Sequence, residues 1–186
     1  MRDLCPHCGL QLVQPDGPAK APILIASEHP GYREILTGRP FADRAGDVLR
    51  KVLIAEGLSY LACRVTNLWL HAVPERGRTK VSRALYVTEY EWHLARLLEE
   101  MEGRQAVLLL GSEACEAVIG LPVMDVAGLK WKPRPLLPKQ VRLLMAAPNP
   151  AQVYQKKQTS GEFTLAISKF ATQWKRMEKR NGKRNV

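Results

Sequence analysis

Residues 22–53 read PILIASEHPGYREILTGRPFADRAGDVLRKVL. The first six form a short apolar run that reads as a buried strand. The stretch HPGYREILTGRPF (29–41) is rich in Gly and Pro and reads as a loop. Over 43–56, Val48, Leu49, Val52 and Leu53 then recur at helical spacing.

The same alternation continues outward. CRVTNLWL (63–70) reads as a second strand, its β-branched and apolar content placing it centrally in a sheet. Residues 86–102 place Tyr90, Leu94, Leu97, Leu98 and Met101 on one helical face. AVLLLG (106–111) is a third strand running into a helix at Ser112, whose hydroxyl suits an N-cap. Residues 121–139 are Pro-rich and irregular, VRLLMAAPN (141–149) is a fourth strand, and 161–178 a last helix with Phe163, Ile167, Phe170, Trp174 and Met177 on one stripe. Strands alternating with helices predict an α/β fold: a three-layer α/β/α sandwich around a central four-stranded parallel sheet. In such sheets ligands bind beyond the carboxyl ends of the strands. The informative segments are therefore SEHPG (27–31), TNLWLH (66–71), GSEA (111–114) and PNPA (148–151).

With 186 residues, 46% hydrophobic and 25% charged, the chain reads as one globular domain, with a metal-binding N-terminal lead (1–21) too small for a core and a flexible basic tail (179–186). No apolar run reaches the ~20 residues that span a bilayer. MRDLCPHCG has no signal-peptide core, which places the protein in the cytoplasm. The net charge of +10 favours a polyanionic partner. In a reducing compartment the four cysteines argue against disulfides. Cys5 and Cys8 read as half a metal site, and Cys63 and Cys115 as small buried hydrophobes.

The segment 23–53 closely resembles the first motif of the iron–sulfur type, family 4-like uracil-DNA glycosylases. Glu28, Pro30, Gly31, Gly38, Pro40, Phe41, Ala45 and Gly46 match it, while Ser27 replaces a leading Gly. Thr66-Asn67 resembles the family's T-N, AVLLLGSEA its L-G-x-x-A turn, and PNPA stands where the family has H-P-S or H-P-A. The order and spacing of the four motifs cover nearly the whole chain. The resemblance implies the uracil-DNA glycosylase fold and a monofunctional glycosylase that hydrolyses the N-glycosidic bond of a flipped-out uracil or related pyrimidine.

By that resemblance Phe41 stacks on the base and Asn67 reads its edge. Asn149, in place of the family's His, donates to the departing base as a neutral, weaker donor. His29 is a candidate to orient or deprotonate water, or a loop histidine bonded to backbone. Glu28 positions water or the loop. The family's cluster is held by C-x-x-C and two later cysteines; here Cys5 and Cys8 match the first pair, and His71 and His93 stand near the other two places. Two thiolates and two imidazoles suit one structural zinc better than a [4Fe–4S] cluster. Cys63 could replace one histidine, and the pair could also be a remnant that binds nothing.

Arg76, Arg78, Lys80 and Arg83 follow the second strand and Lys156 and Lys157 follow Asn149, where both groups would grip DNA phosphates beside the pocket. The competing reading is a catalytically weakened, glycosylase-fold DNA-binding subunit of a replication or repair assembly, which would supply a protein partner. On its own the chain reads as a monomer, with DNA as its ligand.

Overall fold

The computed structural model describes residues 3–72, 83–131, 137–154 and 157–182. Four strands, β1 (Ile23–Ser27), β2 (Arg64–Asn67), β3 (Ala106–Leu110) and β4 (Leu143–Ala147), pair in the order β2-β1-β3-β4, all parallel. Between and after them lie α1 (Tyr32–Thr37), α2 (Arg44–Ala55), α3 (Arg83–Glu100), α4 (Ser112–Val118), α5 (Val123–Val126) and α6 (Lys157–Gly182).

Because successive side chains on a strand point to opposite faces, each strand feeds two cores. Ile23, Ile25, Leu108 and Met145 meet Leu49 and Leu53 of α2 and Phe163, Ile167, Phe170 and Trp174 of α6 on one face. Leu24, Ala26, Leu109 and Leu144 meet Leu97 of α3, Cys115 and Val118 of α4, and Val126 of α5 on the other. Burial on both faces explains why β1, β3 and β4 are unbroken apolar runs. The expected three-layer sandwich is what forms.

Four local expectations are corrected. β2 is an edge strand and not a central one. Its run is apolar because Cys63 and Val65 pack in the first core and Leu68 and Trp69 in the second, while the N-terminal lead covers the backbone edge: Val65 and Asp16 exchange two hydrogen bonds of 2.9 Å, and the Val13 N–H donates to Leu70. The lead is accordingly packed, with Val13 fully buried and Cys5 and Leu12 clustering with Leu70 and half-buried Trp92. Inside the expected 29–41 loop sits α1, with Gly31 as its N-cap. The cap of α4 is Gly111, not Ser112, because a left-handed backbone (φ +95°) is needed where the strand turns into the helix. The Pro-rich stretch also contains the one-turn α5.

Candidate functional site

The connections from β1 and β3 leave in opposite directions along the sheet, β1 towards β2 and β3 towards β4. The space between their carboxyl ends is the topological switch point, where open α/β sheets bind ligands. Glu28 lies there, directly after β1. One carboxylate oxygen accepts the backbone N–H of Glu113 at 3.1 Å. The other accepts the Asn149 amide N–H at 2.5 Å, and the Asn149 oxygen accepts the Ala151 N–H at 2.8 Å. One carboxylate thus ties the rims of β1, β3 and β4 together. A Cβ on Gly111 would overlap that carboxylate.

Beside this knot is a cavity of about 110 Å³ lined by Ser27, His29, Phe41, Asn67, Asn149 and Pro150. That is well above the ~10–15 Å³ that admits one water. Asn67, the last residue of β2, is 2% exposed, and neither its amide nitrogen nor its oxygen has a partner among the described residues. Buried polar groups are normally hydrogen-bonded, so an orphaned amide facing a cavity marks a place for a ligand. On its other side Asn67 borders a void of only about 10 Å³, at the threshold for a single water. His29 is exposed at the cavity rim.

Phe41 forms the aromatic wall. It is 3% exposed, sits edge-to-face on Tyr60 at 6.4 Å, and is the one non-glycine residue with positive φ (54°) among those described. Such a backbone persists only when its surroundings over-determine it. Here they do. The buried Glu34 carboxylate accepts the Phe41 N–H with one oxygen and the Gly31 N–H (2.6 Å) with the other. The Arg50 guanidinium donates to the Phe41 carbonyl at 3.0 Å, and Gly46 leaves room for that carbonyl against α2. Burial holds the Glu34 carboxyl above its usual range, with the two N–H groups acting the other way. Glu34 and Arg50 were not singled out in the sequence. The Gly31-x-x-Glu34 spacing of a capping box was the available signal for the first.

A family model of the uracil DNA glycosylase superfamily matches residues 14–172. The chain belongs to that superfamily. All four rim segments of the uracil DNA glycosylase domain, and the cavity they enclose, fall within the matched span. Cys5 and Cys8 precede the matched span.

The Cys5, Cys8, His71 and Glu89 ligand atoms all lie within 4.8 Å of one another and could hold a metal ion. Cys5, His71 and Glu89 are buried. Cys8 Sγ is 3.5 Å from His71 Nε2, while Glu89 Oε1 is 3.9 Å from both His71 Nε2 and Cys5 Sγ. Bonds of about 2.0–2.3 Å to one tetrahedral zinc place ligand atoms roughly 3.3–3.8 Å apart, close to these separations. A [4Fe–4S] cluster takes four thiolates, and the group has two. Cys63 and Cys115 lie in the two main cores, bonded to the Ser59 and Leu121 carbonyls. The residues present fit a single ion and do not fit that cluster. Glu89 occupies the place expected of His93, one turn earlier on the same face of α3. His93 stands behind it, with its Nε2 3.0 Å from that of His71. Burial, then the imidazoles of His71 and His7, hold His93 down to about 3, so it is neutral.

Of the expected DNA-contacting residues, Arg76, Arg78, Lys80 and Lys156 lie outside the described residues, and Arg83 and Lys157 open α3 and α6. No helix among the described residues is long and apolar enough to cross a membrane.

Proposed function

We propose that this chain is a monofunctional DNA glycosylase that hydrolyses the N-glycosidic bond of a flipped-out uracil or related pyrimidine. The observation that carries the reading is the buried, unpartnered amide of Asn67 at the base of a cavity walled by Phe41. An amide presents a donor and an acceptor together, which complements the edge of a pyrimidine, and Phe41 offers a face for stacking. Water attacks C1′ and the C1′–N1 bond breaks, leaving its electron pair on the base. The second N–H of the Asn149 amide, the first being held by Glu28, donates to that developing charge. Glu28 is then the residue that positions Asn149, and His29 at the rim takes the proton of the incoming water. The basic segments around 76–83 and 156–157 grip the DNA backbone.

The metal in the Cys5–Cys8 group is proposed to be a structural zinc. All four candidate positions are filled by protein, so no open position supports metal catalysis.

A second reading, a weakened glycosylase fold serving as a DNA-binding subunit, draws on one observation. Asn149 stands where a histidine would donate more strongly, and half of its donor capacity is held by Glu28. Retardation of labelled oligonucleotides separates the two: a glycosylase binds a uracil-containing strand more tightly than its normal counterpart, while a subunit of an assembly binds both alike.

A further inference from the structure

Glu89 and His93 both crowd His71 from α3, and hydrogen bonds decide which of them completes the metal's ligand set. The Leu70 backbone N–H is directed at His93 Nδ1, 3.3 Å away, so that nitrogen presents its lone pair. An imidazole with an accepting Nδ1 carries its proton on Nε2. That N–H donates to His71 Nε2 across 3.0 Å, a hydrogen bond that a metal ion taking the same lone pair replaces. His71 is set the other way round. Its Nδ1 lies 2.9 Å from the Ala72 carbonyl oxygen, which can only accept, so Nδ1 carries the proton and Nε2 the lone pair. Of the two imidazoles, His71 alone offers a lone pair beside the thiols.

We infer that Cys5, Cys8, His71 and Glu89 are the four ligands of one zinc ion and that the tautomer of His93 keeps it out of the set. This rests on the zinc reading above. Carboxylate, imidazole and thiolate are all ordinary zinc ligands. Two thiolates and a carboxylate carry −3 against +2, and the His93 N–H is a donor placed next to that excess negative charge. Such neighbours orient ligands without binding the metal.

The ligands come from three segments. Cys5 and Cys8 lie in the lead, Glu89 on α3, and His71 four residues beyond Asn67 on the chain that continues β2. Leu68 and Trp69, between Asn67 and His71, donate backbone N–H groups to Ser27 and Glu28 at 2.8 Å. An ion at His71 therefore pins the far end of the segment that presents Asn67 to the cavity.

The test uses the full chain. Zinc, iron and acid-labile sulfide are measured per chain, and ¹⁵N shifts of the imidazoles are recorded on the zinc-loaded wild type, which needs no variant to fold. Zinc affinity is then measured by chelator competition for Glu89→Gln and His93→Asn. The inference expects one zinc, His71 metallated at Nε2, His93 protonated at Nε2, and a loss in E89Q exceeding the ~10–100-fold that removing a neighbouring orienting group costs, with H93N inside that range. Zinc bound with His93 metallated at Nε2, or with H93N weaker than E89Q, overturns the ligand set and leaves the zinc reading standing. Iron with labile sulfide, or no metal at all, overturns the zinc reading itself.

Discussion

The Glu34 carboxylate accepts the backbone N–H of Phe41 seven residues away and so holds the aromatic wall of the cavity in a left-handed conformation. The same carboxylate caps α1 through Gly31, which couples the start of that helix to the position of Phe41. Glu34→Gln replaces one acceptor oxygen with a donor that faces an N–H. The expected result is a loss of about 1–3 kcal/mol in unfolding free energy together with weaker binding of uracil-containing DNA. Denaturant unfolding and DNA titration check the pair. Unchanged DNA binding in a destabilised protein would mean that Phe41 is only a core residue.

Asn67 should behave in the opposite way. Its amide has no partner in the free protein among the described residues, so Asn67→Ala removes no internal hydrogen bond. Stability is expected to hold within about 1 kcal/mol, while the preference for uracil-containing over normal DNA falls by roughly the 1–3 kcal/mol of an unmade polar contact. Thermal melts and binding to both oligonucleotides decide it. A large loss of stability with the preference intact would make Asn67 structural.

The Glu28–Asn149 hydrogen bond predicts two further variants. Gly111→Ala drives a Cβ into the Glu28 carboxylate at a left-handed position, and excision is expected to fall with it. Asn149→His restores a stronger donor, and excision is expected to rise by up to the ~10²–10³-fold that one such donor is worth. Single-turnover kinetics read both. An N149H protein no faster than wild type would contradict the role given to this position.

Glu100 ties the lead to the sheet. It receives Arg64 at 2.9 and 3.1 Å and Arg104 at 3.3 Å, and Arg104 also donates to the Ala19 and Ala21 carbonyls. Burial opposes ionisation of Glu100, but the two guanidinium groups outweigh it and hold its carboxyl below 4.5. As pH falls, the unfolded chain takes up this proton first. The stability advantage of wild type over Glu100→Gln is therefore fully present above pH 4.5 and is lost as pH drops through the lower, folded value. Urea melts from pH 7 downward check the sign; an advantage that grows on acidification contradicts it.

Much of this fold was legible because its information is local. Short apolar runs such as ILIAS and AVLLL, bounded by turn residues, read as buried strands, and the 3.6-residue stripe of α6 fixes its buried face. Edge and centre were not legible, because both faces around β2 are covered, Cys63 and Val65 in one core and Leu68 and Trp69 in the other, so this edge strand is as apolar as a central one. The site was half legible. Asn67, Phe41, Glu28 and Asn149 follow strand ends or stand in a recognisable loop. The clamps were missed because Glu34 and Arg50 act on backbone groups, which carry no side-chain signature. Glu89 was not legible because a carboxylate on a helix is ordinarily a solvated charge, and only the fold brings it beside Cys5 and His71.

The most direct test is excision itself. Purified protein is incubated with an end-labelled oligonucleotide carrying one uracil, abasic sites are cleaved with alkali, and a normal oligonucleotide and the Asn67→Ala protein serve as controls. The proposed function predicts strand cleavage that requires both the uracil and Asn67. Tight DNA binding with no uracil-dependent cleavage would contradict it and leave the DNA-binding subunit as the better account of the fold.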